Sequence, residues 1–222
     1  RLLGVSITGQ WDCPLVREPE MLEKMKAVAI EVNRKYAKRL SVNASTCITC
    51  VKPSGTVSQT VDCASGMHPR HAPYYIRRVR ISATDALFKM LRDQGVPHHP
   101  EVGQTYETAT TYVLEFPMKA PDGAICRDDL SAVSLLEHWK VVKQHYTEHN
   151  PSVTISVGDD EWVRVGNWVY ENWDLVGGLS FLPRENHVYQ LAPYETITKA
   201  KYDELAAKLG HIDFAKIVTY EV

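Results

Sequence analysis

The order of the hydrophobic patterns along the chain is the feature that most constrains its fold. Stretches typical of strands take turns with stretches whose apolar residues recur every three or four positions, as they do in helices. Strands that alternate with helices predict an α/β fold with a largely parallel sheet. In such folds, ligands bind on the loops that follow the carboxyl ends of the strands. We therefore expect a site on one of these loops.

Five helices and seven strands are predicted. One helix spans 20–39, and a second follows a capping box from Ser82 to Asp85 and ends at Gly95. The other helices are expected over 131–149, from Asp159 to Trp173, and from Thr198 to Gly210. The predicted strands are 3–8, 45–51, 74–82, 111–117, 152–157, 177–182 and 216–222.

The composition limits the kind of protein this can be. The 222 residues are 44% hydrophobic and 23% charged, which is typical of one large globular domain or two small ones. A formal net charge of −2 gives no long-range attraction to nucleic acid or to a membrane surface. No apolar stretch approaches the ~20 residues that a membrane span needs. We therefore expect neither nucleic acid nor membranes as partners.

The cysteines and the two ends of the chain give further expectations. Five cysteines, an odd number, do not form the pattern of a disulfide framework and predict reduced thiols in a cytoplasmic protein. The chain opens within a strand-like pattern and closes on another strand-like run, "KIVTYEV". Since open sheet edges are usually covered, we expect 1–222 to be a segment of a larger protein.

The stretch "VKPSGTVSQ" follows a predicted strand and carries the most suggestive chemistry. Pro53 removes a backbone donor and ends the strand, and Gly55 permits positive φ and close approach of another group. Ser54, Thr56 and Ser58 supply hydroxyls, and successive backbone N–H groups can form a concavity that binds anions. The stretch lacks the second glycine and the lysine of a Walker loop. Taken alone, it is consistent with an ordinary turn or with a phosphate site.

The next stretch, "ASGMHPRHAPYYIRRVRIS", contains a second glycine turn and several basic residues. His68 and His71 lack a third ligand at defined spacing, so no metal site is predicted. On a strand, Arg77 faces one side while Arg78 and Arg80 face the other. Because an unpaired buried charge is costly, structural ion pairs are expected, with phosphate contact as the alternative.

Cys47 and Cys50 have the spacing of a redox motif, but they lie on a predicted strand. Such a motif needs its first cysteine at a helix start, and a zinc site would need a second pair of ligands. We therefore expect both cysteines to be structural. No catalytic residue is assigned from the sequence.

Together, these motifs resemble ribonucleotide reductases. "KPSGTVSQ" followed by "ASGMHPRHAPYYIRRVR" is similar to the carboxyl-terminal part of their catalytic barrel. "HNPSVTISVGDDEW", "VGGLSFLP" and "VYQLAPYETIT" are similar to the adenosylcobalamin-dependent class, particularly its monomeric ribonucleoside-triphosphate reductases, and "RLLGVSITG" resembles another motif of the barrel. The resemblance spans nearly the whole chain in the expected order.

The resemblance implies a fold, an activity and a site. It implies that 1–222 is the carboxyl-terminal part of a ten-stranded α/β barrel, in which a thiyl radical removes the ribose 3′ hydrogen and a cysteine pair reduces the 2′ carbon. It implies that the substrate phosphates are bound by one loop, made of Pro53, Ser54, Gly55, Thr56, Val57 and Ser58. A weaker implication adds residues that line the same cavity: Ser65, Gly66, Met67 and His68.

Several parts of such an enzyme have no match in this chain. The finger loop with its Asn-x-Cys-x-Glu signature, the redox cysteines and most cobalamin contacts belong to other segments of the family's enzymes. We therefore expect no catalytic residue and no metal ligand here, adenosylcobalamin bound mainly outside this segment, and no turnover by the segment alone. Expected partners are the rest of the reductase chain, a ribonucleoside triphosphate, and thioredoxin or a similar dithiol acting through a tail.

Three other interpretations remain open at this point. A diphosphate-reducing member of the same class would carry a similar loop. A non-catalytic α/β nucleotide-binding module could use residues 53–58 merely to hold phosphate. In a structural scaffold, residues 53–58 would be an ordinary turn.

Overall fold

The computed structural model describes residues 2–184 and 189–221. The helices are α1 (Pro19–Arg39), α2 (Val57–Thr60), α3 (Ala86–Asp93), α4 (Ala132–His145), α5 (Trp162–Glu171) and α6 (Lys199–Leu209). The strands are β1 (Leu2–Ser6), β2 (Cys47–Cys50), β3 (Tyr74–Ser82), β4 (His98–Pro100), β5 (Thr111–Lys119), β6 (Thr154–Val157), β7 (Ser180–Pro183) and β8 (Tyr194–Thr196). Short 3-10 helices lie at Pro14–Arg17, Arg127–Asp129 and Phe214–Thr219. The five predicted helices are all present, α2 is an additional short helix, and the mixture of helices and strands agrees with the predicted α/β class.

The chain divides into two compact units. One unit is made of Arg1–Arg70 with Gly123–Glu185, and the other of His71–Asp122 with Asn186–Val222. The first unit contains two parallel strand pairs, β1 with β2 and β6 with β7. The second contains a four-stranded sheet in the order β4-β5-β3-β8.

Helix α4 lies at the centre of the core of the first unit. Its residues Leu136, Trp139 and Val142 are fully buried at three-residue spacing, in one cluster with Leu22 of α1 and Ile155 of β6. Burying a side chain of this size stabilises the fold by about 1.5–3 kcal/mol. These buried residues therefore lie on one face of α4, and that face packs in the core.

The sheet of the second unit corrects the expectation of a largely parallel sheet. β3 and β5 pair antiparallel along their whole length, from Tyr74 opposite Lys119 to Ser82 opposite Thr111, and β4 and β8 also pair antiparallel with their neighbours. Helix α3 covers a core in which Phe88 stacks on Tyr112 at 4.4 Å between ring centroids. Hydrophobic periodicity indicates that strands are present, but it does not identify their partners or direction.

Three local expectations are also corrected. The predicted strand 216–222 is wrong, because the side chain of Asp213 accepts a hydrogen bond from the N–H of Ala215 and starts the 3-10 helix Phe214–Thr219; Val222 lies outside the described residues. The capping residue of α3 is Asp85, which accepts from the N–H of Leu87, and not Ser82. Strands β4 and β8 were not predicted. They are short, at three residues each, and carry little periodic signal.

The part of the chain that the structure describes forms three separate sheets, so a ten-stranded barrel stays a prediction. Within the same residues, no helix combines the length and apolar character required to cross a bilayer. Arg1 and Val188, which belong to two of the motifs that carry the resemblance, lie outside the described residues.

Candidate functional site

Residues 53–58 form a bend that follows the carboxyl end of β2, which is the predicted kind of position. Pro53, Gly55, Thr56 and Val57 are exposed and Ser54 is half-buried. Ser58 is buried, and its hydroxyl donates a hydrogen bond to the carbonyl oxygen of Ser54. The bend is therefore open to solvent on its outer side and tied to itself on its inner side.

The backbone donors of the bend divide into used and unused groups. The N–H of Ser54 donates to Ser65 Oγ at 2.9 Å, and the N–H of Ser58 donates to the carbonyl oxygen of Ser54 at 3.0 Å. Among the described residues, the N–H groups of Gly55, Thr56 and Val57 have no hydrogen-bond acceptor. Three successive unpaired donors are suited to binding an anion.

Gly55 leaves the backbone of the bend accessible. A Cβ atom at this position would meet nothing within 4 Å. Its φ is not among the positive values of the chain, so the positive φ that glycine permits is not used here. What the glycine contributes is open space next to the unpaired N–H groups.

Gly66 has a different role, because it holds a second loop, residues 64–68, against the bend. Its φ is +58°, and a Cβ atom would lie 2.7 Å from the carbonyl oxygen of Lys52. Only glycine combines this backbone conformation with this close approach. Next to it, Met67 is fully buried in the core of the first unit.

His68 is held in one neutral tautomer by two hydrogen bonds. Its Nε2 accepts from the N–H of Thr154 at 3.0 Å, so Nδ1 carries the hydrogen and donates to the carbonyl oxygen of Ser65 at 3.0 Å. Burial lowers the pKa of His68, which agrees with an uncharged ring. The side chain thus connects the second loop to the start of β6. In the described ranges, no group of three or more His, Cys, Asp or Glu side chains is placed to hold a metal ion.

Thr8 joins the bend to the second loop and was missed by the sequence analysis. It follows the carboxyl end of β1, and its hydroxyl forms hydrogen bonds with Ser54 Oγ, the carbonyl oxygen of Ala64 at 3.0 Å and the N–H of Gly66 at 2.9 Å. The signal that could have identified Thr8 is its place directly after a strand that runs parallel to β2.

Arg70 supports the second loop through Asp12 and Asp62. The sequence analysis missed this residue as well. Its guanidinium donates to both carboxylate oxygens of Asp12 at 3.2 Å and to Asp62 Oδ1 at 2.8 Å. Asp12 Oδ2 also accepts from the N–H of Ala64 at 2.6 Å. Arg70 is buried, and its two carboxylate partners compensate its charge.

The three arginines of β3 are engaged within the second unit. Arg78 is buried and forms ion pairs with Glu115, at 2.6 Å, and with Glu195, while Arg80 pairs with Glu101. The expected structural ion pairs are therefore confirmed for Arg78 and Arg80. Arg77 lies over the ring of Tyr194 instead, at 4.4 Å from the centroid, and donates to a backbone carbonyl.

Cys47 and Cys50 lie on β2 as free thiols, the first half-buried and the second buried. The sulfur of Cys50 would touch a Cβ atom at position 4 at 3.4 Å, so it packs against the backbone of β1. This placement agrees with the structural role expected for Cys50.

The known proteins to which this chain is similar include ribonucleotide reductases. The chain matches no protein-family model. Over 193 residues it is 31% identical to the adenosylcobalamin-dependent ribonucleoside-triphosphate reductase of Lactobacillus acidophilus, which covers 85% of this chain and 25% of that protein. Over 203 residues it is 28% identical to the protein of the same name from Lactobacillus leichmannii, covering 89% of this chain and 27% of that protein. The chain thus spans about a quarter of the length of these relatives.

A solved structure has a similar fold. It is the crystal structure of a B-12 dependent (class II) ribonucleotide reductase, with a TM-score of 0.76. The match covers 90% of this chain and 28% of the chain in that crystal structure. Sequence identity in this comparison is 23%, so it supports the fold alone. The resemblance inferred from the sequence motifs is confirmed: over most of its length, this chain is homologous to about a quarter of an adenosylcobalamin-dependent ribonucleoside-triphosphate reductase.

Proposed function

We propose that this chain is a segment of an adenosylcobalamin-dependent ribonucleotide reductase and that it binds the phosphates of a ribonucleoside triphosphate. The names of the relatives support the class of enzyme and substrate. The observation that carries the role of this segment is the bend at 53–58, with its three unpaired N–H groups beside Gly55. The proposed phosphate-binding residues are Pro53, Ser54, Gly55, Thr56, Val57 and Ser58.

Within this loop, the contributions differ from residue to residue. The N–H groups of Gly55, Thr56 and Val57 donate to phosphate oxygens, and the exposed hydroxyl of Thr56 adds a further donor. Ser58 stabilises the bend from inside, because its hydroxyl already donates to the Ser54 carbonyl. A hydrogen bond to a charged group contributes about 1.5–3 kcal/mol.

The second loop supports the bend, and the bend contacts the substrate phosphates. Ser65 and Gly66 hold the bend in place, Met67 belongs to the core, and His68 is occupied on both ring nitrogens. We therefore propose a supporting role for these four residues. The bend itself remains the proposed contact with substrate.

Holding the phosphates serves radical chemistry that takes place elsewhere on the substrate. Fixing the distant anionic end positions the ribose without touching its reacting carbons, and correct positioning accounts for a large share of enzymatic rate enhancement. Backbone amides and hydroxyls do this without placing a titratable group in the bend. We propose that the cysteine that carries the radical and the reducing cysteine pair belong to other parts of the enzyme.

Adenosylcobalamin supplies the radical in this class of enzyme, and its binding is assigned to parts outside this segment. The described residues hold no cluster of side chains suited to ligating a metal ion. Thioredoxin or a similar dithiol, the rest of the reductase chain and a cytoplasmic location remain predictions of the sequence.

The variant Gly55→Val tests the proposed function in the complete reductase. The added side chain has space in the fold, but it covers the unpaired N–H groups, so the affinity for a ribonucleoside triphosphate should fall at least about tenfold. Gly166→Ala is the matched control, because a Cβ atom there also meets nothing within 4 Å. Unchanged affinity in Gly55→Val, measured by equilibrium binding, would show that the bend is an ordinary turn.

Two further measurements test the substrate class and the division of roles within the enzyme. Competition between a ribonucleoside diphosphate and the triphosphate in the complete enzyme distinguishes the two substrate classes. The 222-residue chain with adenosylcobalamin and a dithiol should form no deoxynucleotide, because the radical and redox cysteines are expected elsewhere. Turnover by the isolated chain would contradict this division of roles.

A further inference from the structure

The hydroxyl of Thr8 has more potential partners than it has hydrogens. It lies within hydrogen-bond distance of Ser54 Oγ, the carbonyl oxygen of Ala64 and the N–H of Gly66, and the thiol of Cys63 is 3.8 Å away. A hydroxyl donates one hydrogen bond and accepts up to two. Because the N–H of Gly66 can only donate, Thr8 accepts from it, and its single hydrogen goes either to Ala64 or to Ser54.

The acceptor to which the Thr8 hydroxyl donates determines whether the Ser54 hydroxyl donates to Thr8 or accepts from it. When the Thr8 hydroxyl donates to the Ala64 carbonyl, the Ser54 hydroxyl must donate to Thr8, and its hydrogen is not available to a ligand. When Thr8 donates to Ser54 Oγ, the hydrogen of Ser54 is free to point elsewhere. The Ala64 carbonyl remains satisfied in both arrangements, because the N–H of Gly9 donates to it at 2.8 Å.

We propose that Thr8 is a positioning residue for phosphate binding, a role that rests on the proposed function of the bend. With an anion in the bend, both hydroxyls rotate so that Thr8 donates to Ser54 Oγ and Ser54 donates to a phosphate oxygen. No proton moves from one atom to another in this step. Thr8 thereby makes Ser54 a donor to the ligand without contacting the ligand itself.

The inference predicts how two substitutions of Thr8 differ. Thr8→Val keeps the shape and removes the hydroxyl, so the Kd for a ribonucleoside triphosphate should rise about tenfold, which corresponds to about 1.4 kcal/mol. Thr8→Ser keeps the hydroxyl and should bind nearly as the unsubstituted enzyme does. In the complete reductase, KM should rise in Thr8→Val while kcat is unchanged.

Two measurements separate this role from a structural one. Inhibition by the corresponding nucleoside, which has no phosphate, should be the same in Thr8→Val and in the unsubstituted enzyme. In a Ser54→Ala background, Thr8→Val should cause little further loss of triphosphate affinity, because Thr8 acts through the Ser54 hydroxyl. An equal loss in both backgrounds, or weaker binding of the nucleoside, would overturn the inference.

The same set of variants distinguishes failure of this inference from failure of the proposed function. If Gly55→Val and Ser54→Ala both leave the triphosphate affinity unchanged, the bend does not bind phosphate, and both proposals are wrong. If these two variants weaken binding while Thr8→Val does not, only the role of Thr8 is wrong.

Discussion

The backbone of Gly66 lies so close to the carbonyl oxygen of Lys52 that a Cβ atom would be 2.7 Å from it. This contact joins the loop after β2 to the loop that contains Ser65, whose hydroxyl accepts from the N–H of Ser54. Glycine at position 66 is therefore required by the fold of the site.

Replacing Gly66 should lower the free energy of unfolding. Gly66→Ala adds a clash with backbone and places a side chain at φ +58°, so we expect a loss of about 2–4 kcal/mol in the free energy of unfolding. Urea unfolding measures it. Gly166→Ala, in the middle of α5 with free space around it, is the control and should stabilise by up to about 1 kcal/mol. Equal stability of Gly66→Ala and the unsubstituted protein would contradict the described contact.

The arginines of β3 offer a comparison between a buried and an exposed ion pair. Arg78 is 7% exposed between Glu115 and Glu195, so Arg78→Met leaves carboxylates without their partner and should cost about 3–5 kcal/mol. Arg80, on the same strand, is 38% exposed, and Arg80→Met should cost no more than about 1 kcal/mol. Thermal or urea unfolding checks both. Similar losses in the two variants would show that burial does not decide the contribution.

Acidification should destabilise the first unit through His138. Burial and the charge of Arg17 lower the pKa of this histidine from 6.5 to about 4. The unfolded chain takes up a proton near pH 6.5 while the folded protein does not, so stability falls as the pH drops from about 6.5 to about 4. The total loss from this residue is about 3 kcal/mol.

The measurement is the free energy of unfolding between pH 4 and 7 for the unsubstituted protein and for His138→Gln. Glutamine can still donate to the side chain of Gln10, the buried partner of His138 Nε2 at 2.7 Å. In the variant, the free energy of unfolding should depend less steeply on pH, by the slope that corresponds to the uptake of about one proton on unfolding. Parallel curves for the two proteins would exclude His138 as the source.

A further prediction concerns the turn before β7. The amide of Asn150 exchanges two hydrogen bonds with the backbone of Gly178, at 3.0 and 3.2 Å, and a Cβ atom at position 177 would lie 2.5 Å from its Oδ1. Gly177→Ala should therefore displace Asn150 and lower the free energy of unfolding by about 1–3 kcal/mol.

A double-mutant cycle checks that cause. In an Asn150→Ala background the clash is absent, so Gly177→Ala should then be nearly neutral. Gly178→Ala, whose Cβ atom would be at an ordinary 3.4 Å from the same side chain, is the comparison at the neighbouring position. Additive losses in the cycle would show that Asn150 is not what requires glycine at 177.

Short-range patterns in the sequence predicted the helices and the bend, which depend mainly on residues close together in the chain. The spacing of apolar residues predicted α1, and Thr198 was correctly expected to begin α6, where its hydroxyl accepts from the N–H of Lys201. The bend at 53–58 was located from proline, glycine and hydroxyl residues after a strand. In contrast, β3 pairs antiparallel with β5, and no periodicity specifies that choice. The first residues of the strand-like run 216–222 belong instead to the 3-10 helix Phe214–Thr219, which Asp213 caps.

The surroundings of the bend depend on residues that are distant in sequence. Thr8 lies 46 positions from Ser54, and Asp12 lies 58 positions from Arg70. Neither pair forms a motif, since each contact exists only after β1 and β2 have come together. A sequence can indicate a loop with suitable chemistry, while the side chains that hold the loop become visible only in the folded chain.

The hydrogen bond from the N–H of Ser54 to Ser65 Oγ has a consequence for the thermodynamics of any anion that binds the bend. Together with the bond from Ser58 to Ser54, it holds the bend in shape while the outer donors remain unoccupied. Binding to a preorganised loop loses little conformational entropy, so most of the interaction energy is retained as affinity. The rate of association should accordingly be set by diffusion and access, with no slow ordering step.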